Sequence, residues 1–122
     1  MNKVSFALKS YQDHLDSQRD FPELAAGTWG GRGEQALFGD LGVRGVDKAV
    51  SAKLLLDRVG AKPQDAYAFG DAKVDIPLFQ VCGHSCCMGS GGLEAKAAAD
   101  FVSTDVEEDG LYHGFEHFDL LG

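Results

Sequence analysis

The run Ala66-Tyr67-Ala68-Phe69, closed at once by Gly70-Asp71, constrains this chain more than any other segment. It is short and nearly all apolar. That is the pattern of a strand covered on both faces, which is the condition of a parallel sheet. The flanking segments agree with it. Asp47 can cap a helix running to about Val59, and Gly60 sits where a helix-ending glycine belongs. Ala52, Leu55, Leu56 and Val59 form one apolar stripe at helical spacing. Pro63 breaks the chain, and a later helix carries Pro77 in its first turn. Ser85-Cys86-Cys87-Met88 reads as a second buried strand, Gly89-Ser90-Gly91-Gly92 as a turn and Leu93–Ala99 as an Ala-rich helix. Phe101-Val102 reads as a third short strand, and Leu111–Phe118 as a closing helix. Strands alternating with helices predict an α/β fold with a parallel sheet.

The texture before residue 45 is different. Lys3–Leu8 predicts a short strand and Ser10–Arg19 a polar helix. Ala26-Gly27-Thr28-Trp29 and Gln35-Ala36-Leu37-Phe38 flank Gly30-Gly31-Arg32-Gly33, which predicts two antiparallel strands around a Gly-rich turn. This portion has few large apolar residues and reads as an incomplete domain.

At 122 residues and 44% hydrophobic, the chain has material for a core, which argues against disorder. No apolar run approaches the roughly 18 residues of a membrane span. Met1-Asn2-Lys3-Val4-Ser5 is not followed by the apolar stretch of a secretory signal. Three cysteines are too few for a disulfide framework, so a reduced, cytoplasmic setting is expected. The net charge of −8 is uneven. Residues 1–50 hold 6 basic and 7 acidic residues, and residues 51–122 hold 5 and 12. No Lys/Arg cluster exists, which excludes nucleic acid as an expected partner. An acidic half suits divalent cations, or simply solubility.

The sharpest local signal is Phe69-Gly70-Asp71-Ala72-Lys73-Val74-Asp75. Asp71 falls just past the carboxyl end of a buried parallel strand, the edge at which ligands bind in open α/β sheets. Asp75 lies four residues on, so one helical turn could bring both carboxylates to one side of that crevice. Two close carboxylates repel unless a cation neutralises them, and hard oxygen ligands suit Mg²⁺. The plain alternative makes Asp71 a turn residue and Asp75 a helix cap. Lys48 falls at the start of a helix, where the dipole disfavours a cation unless an anion lies nearby. Otherwise it is a solvated surface lysine.

Weaker patterns read as structural. Asp105-Val106-Glu107-Glu108-Asp109-Gly110, with Glu116, nearly matches a calcium loop. It lacks an incoming helix, and Thr104 with Glu107 can form a capping box instead. Cys82, His84, Cys86 and Cys87 could suggest zinc, but adjacent strand residues point to opposite faces, so buried thiols are expected. His113 and His117 could share a helix face, with no further ligand evident.

Residues 45–122 resemble the C-terminal half of a haloacid dehalogenase superfamily hydrolase of the Cof-like, C2-capped phosphatase type. The matching runs are Gly45-Val46-Asp47-Lys48, Ala68-Phe69-Gly70-Asp71-Ala72-Lys73-Val74-Asp75-Ile76-Pro77 and Met88-Gly89-Ser90-Gly91-Gly92. Ala97-Ala98-Ala99-Asp100-Phe101-Val102 and Glu108-Asp109-Gly110-Leu111 complete the match. The resemblance implies a Rossmann-like core with parallel strands over 45–122, and a remnant of an α+β cap over 1–44. It implies Mg²⁺-dependent hydrolysis of a phosphate monoester through an aspartyl-phosphate. Lys48 matches the family lysine that steadies phosphate and nucleophile, Asp71 the acid that binds Mg²⁺, and Asp75 a second acid supporting the metal site. Val74 and Ser90 stand where many relatives carry Asn.

The family nucleophile lies in an Asp-x-Asp-Gly-Thr motif, and this sequence contains none. The expectation is a truncated hydrolase that binds Mg²⁺ weakly and is inactive alone, its parent acting on a phosphorylated small molecule. The alternative is a non-catalytic binding or interaction module that keeps the fold remnant. Without the family's nucleophile strand, the strand ending at Phe69 would keep an open edge, so a homo-oligomer through that edge is expected. Lys3–Leu8 folding across that edge is the competing arrangement.

Overall fold

A computed structural model describes residues 2–31 and 33–122; Met1 and Arg32, the latter in the Gly-rich turn, lie outside the described residues. The chain divides into two compact units, Met1–Val46 and Asp47–Gly122.

The first unit contains β1 (Lys3–Ala7), α1 (Tyr11–Asp20), β2 (Leu24–Trp29) and β3 (Phe38–Val43). Its sheet is antiparallel in the order β1-β3-β2. Asp13 sets the start of α1, its carboxylate accepting the Lys9 N–H at 2.8 Å. The expected strand at Gln35–Phe38 is displaced. Gly33–Gln35 is a single 3-10 turn, and the strand begins only at Phe38. Gly39 and Gly42 resemble strand breakers, yet both lie in the central strand of this sheet. At Gly39 the reason is a close approach, since a Cβ there would come within 2.6 Å of the Phe6 ring, whereas a Cβ on Gly42 would meet nothing nearer than 3.6 Å. Lys3 of β1 also pairs with Asp40 of β3 at 2.8 Å. β1 pairs with β3 in this sheet, and the strand after residue 66 belongs to a separate one.

The second unit alternates as expected: α2 (Lys48–Val59), β4 (Tyr67–Gly70), α3 (Ile76–Val81), β5 (His84–Cys87), α4 (Leu93–Ala98), β6 (Phe101–Val102) and α5 (Gly110–His117). β4, β5 and β6 form a parallel sheet in that order. The ends of α2 lie where local chemistry puts them. The Asp47 carboxylate accepts the Val50 N–H at 2.8 Å, and Gly60 takes the left-handed conformation, φ 70°. The two sheet faces are filled differently. Ala68 and Cys87 pack with Phe79 of α3 and Ala95 of α4 in a buried cluster. The opposite face is aromatic: Phe69 stacks on Phe115 at 4.7 Å and Phe101 on His117 at 3.7 Å. Phe118 sits edge-on to Tyr67 at 5.3 Å. α5 comes close there because Gly114 has no side chain; a Cβ would lie 2.8 Å from the Phe69 ring.

The apolar stripe of α2 is only partly used. α2 packs on α3. Ala52 and Leu56 are half-buried, while Leu55 and Val59 are 62% and 64% exposed. β6 leads into the acidic loop, so no helix precedes it as a calcium loop requires. Thr104 donates to the Glu108 carbonyl at 2.7 Å, which ties that turn without the expected capping box.

Candidate functional site

All three residues singled out for chemistry meet at the carboxyl end of β4. The strand stops because Gly70 and the turn at Lys73–Asp75 redirect the chain into α3, with Pro77 in its first turn. Asp71 begins that turn with its side chain exposed. Asp75 ends it and points inward, 4% exposed.

The spacing of four therefore separates two roles that look alike in sequence. The Asp75 carboxylate is fully engaged. One oxygen, Oδ2, accepts the N–H groups of Asp71 and Ala72, both at 3.0 Å. The other, Oδ1, accepts a hydrogen bond and ion pair from Lys48 Nζ. It does not cap its own helix α3. Gly70 makes the room: a Cβ there would fall 2.6 Å from the Asp75 carboxylate.

Burial pushes the Asp75 carboxyl up, but the hydrogen bond from Lys48 and those from the Ala72 and Asp71 N–H groups outweigh it. The net position is below the ordinary aspartate value. Lys48, the first residue of α2, has its unfavourable dipole position offset by this buried anion. Its side chain remains about half exposed, at 54%.

The Asp71 carboxylate makes no hydrogen bond or ion pair among the described residues. No group of three or more His, Cys, Asp or Glu side chains converges anywhere among them. A single free carboxylate beside a lysine fits a cation that keeps most of its water, as Mg²⁺ does, and does not fit Ca²⁺ or Zn²⁺. Cys86 and Cys87 are buried strand thiols, and burial pushes both up.

One element of the site was read from sequence as a turn and as part of the family resemblance, without a role at Asp71. The turn Gly89–Gly92 closes over Asp71, with the Gly92 N–H donating to the Asp71 carbonyl at 3.0 Å. The glycine cluster signalled a turn, and nothing local signalled what the turn would touch.

The comparisons with known proteins identify the family and the fold. The family model for haloacid dehalogenase-like hydrolases matches residues 2–115. An uncharacterized protein encoded in the pdhA 5′ region of Geobacillus stearothermophilus is 36% identical over 77 residues, covering 63% of this chain and 81% of that protein. YkrA of Bacillus subtilis (strain 168), named as a phosphatase, is 33% identical over 101 residues, covering 83% of this chain and 37% of YkrA. Among solved structures, a phosphatase of the haloalkanoate (HAD) enzyme superfamily from Bacteroides thetaiotaomicron superimposes with a TM-score of 0.82 at 28% identity. That match covers 98% of this chain and 42% of the other. The chain thus spans well under half of YkrA and of the Bacteroides phosphatase. The β4 terminus, its paired acids and the parallel sheet that carries them belong, with the rest of the matched residues, to a member of the haloacid dehalogenase-like hydrolase family, in its C-terminal part.

Proposed function

We propose that this chain supplies the cation- and anion-holding part of a phosphate monoester hydrolase. The observation that carries the reading is the Lys48–Asp75–Asp71 arrangement at the end of β4. Asp71 is the ligand, because its carboxylate is the exposed one. Asp75 is the residue that orients both Asp71, through its N–H, and Lys48, through its ammonium. Lys48 meets the phosphate of the substrate. A bound Mg²⁺ would offset the charge of the phosphoryl oxygens, which is most of what phosphoryl transfer asks of a site. The parent reaction passes through an aspartyl-phosphate. No residue of this sequence stands in an Asp-x-Asp-Gly-Thr context to form it, so the chain by itself does not turn over. The domain reading follows: residues 1–44 are the remnant of a C2-type cap, and residues 45–122 the C-terminal half of the core.

The deciding experiment is an assay of the purified chain against a panel of phosphate esters with Mg²⁺, alongside an NMR titration of the Gly70–Asp75 amides. The expected result is no turnover, with roughly millimolar Mg²⁺ binding centred on Asp71. A robust rate lost in both Asp71→Asn and Lys48→Ala would overturn the inactive reading. Absence of any Mg²⁺ response at Asp71 would favour the non-catalytic interaction module.

A further inference from the structure

We infer that Gly91 and Gly92 are positioning residues for Asp71, fixing it from its carbonyl side as Asp75 fixes it from its amide side. The inference rests on Asp71 being the cation ligand and adds how its direction is set.

After β5 the chain turns back on itself. Met88 N–H donates to the Gly70 carbonyl at 2.9 Å, Gly91 N–H to the Met88 carbonyl at 2.8 Å, and Gly92 N–H to the Asp71 carbonyl at 3.0 Å. The turn sits so tightly that a Cβ on Gly91 would lie 2.7 Å from Cys87 Sγ, 2.8 Å from the Asp71 carbonyl oxygen and 2.9 Å from the Met88 carbonyl oxygen. Two of these three obstacles are backbone and cannot rotate away, so any side chain at 91 lifts the turn off Asp71. Gly92 differs. A Cβ there meets nothing within 4 Å, and its φ of −67° and ψ of 153° suit alanine. What Gly92 contributes is its N–H.

Asp71 is thereby held at both backbone groups, with Asp75 Oδ2 at 3.0 Å on one side and Gly92 N at 3.0 Å on the other. Only its carboxylate is left free. A cation held by few protein ligands depends on the direction of that carboxylate, and groups orienting a ligand affect metal affinity strongly.

The test follows the Gly70–Asp75 amides during an Mg²⁺ titration of the wild type, Gly92→Ala, Gly92→Pro and Gly91→Ala, with a thermal melt of each. Gly92→Ala should bind within about twofold of the wild type. Gly92→Pro, which replaces the N–H with a ring carbon facing the Asp71 carbonyl, should push that carbonyl away, shift the Asp71 amide before any cation is added, and bind about tenfold more weakly. Gly91→Ala should weaken binding similarly, and Cys87→Ala/Gly91→Ala should not recover it, because the carbonyl clashes remain. Wild-type affinity in Gly92→Pro overturns the inference even if Gly91→Ala fails to fold. Recovery in the Cys87→Ala/Gly91→Ala double variant overturns the part assigned to Gly91. No Mg²⁺ response at Asp71 in the wild type overturns the ligand reading itself, and this inference with it.

Discussion

Lys48 Nζ donates to the buried Oδ1 of Asp75, 27 residues further along the chain, while Oδ2 of the same carboxylate accepts the Asp71 N–H. One buried anion thus ties the start of α2 to the end of β4. Asp75→Asn keeps the shape and removes the charge. We expect a loss of about 1–3 kcal/mol, because a polar group next to Lys48 and two N–H donors is left mismatched. Urea denaturation measures it, and stability within about 0.5 kcal/mol of wild type would show that the tie carries no stability.

The same carboxylate sets a pH dependence. The folded chain holds Asp75 below the ordinary aspartate value of about 3.9 that the unfolded chain keeps. Its contribution is therefore complete above that ordinary value and is lost as pH falls through it toward the folded value. Urea midpoints taken from pH 6 down to pH 3 should fall more steeply in the wild type than in Asp75→Asn. Parallel slopes would assign the acid sensitivity to other carboxylates.

On α2 the structure separates neighbouring leucines. Leu55→Gln should leave stability within about 0.5 kcal/mol, because Leu55 is 62% exposed. Leu56→Ala, half-buried on the helix that packs on α3, should cost about 1–2 kcal/mol. Equal losses at both positions in thermal unfolding would mean that the free chain covers the Leu55 side of α2.

β4 pairs with β5 on one side, and no strand among the described residues occupies its other edge. Leu55 and Val59 add exposed apolar surface on α2 of the same unit. Open apolar edges recruit further strands, and a two-fold pairing is the simplest closed solution. We expect self-association at micromolar concentration by light scattering. A clean monomer with strongly protected Tyr67–Phe69 amides would refute it.

Much of the second unit was legible in sequence because its signals are local. Asp47 and Gly60 bound α2 through contacts within one helical turn. The apolar run ending at Gly70-Asp71 and the proline after it mark β4 and α3 through their own backbone preferences. The resemblance to the hydrolase family implied that Lys48, Asp71 and Asp75 serve one site, but the ion pair between Lys48 and Asp75 appears only in the structure.

What tertiary structure decided depends on residues far apart in the chain. β3 runs through Gly39 and Gly42, which look like breakers until the Phe6 ring of another strand lies against Gly39. The stripe on α2 has four apolar residues, and only packing on α3 selects which of them lose water. Asp71 and Asp75 are the same residue type four positions apart, and their spacing alone does not say which carboxylate is buried. They differ because Lys48 and two backbone N–H groups draw one carboxylate inward, while Gly92 holds the other residue by its backbone and leaves its carboxylate in solvent. A carboxylate is buried only where donors converge on it, and that convergence is a property of the fold, not of the spacing.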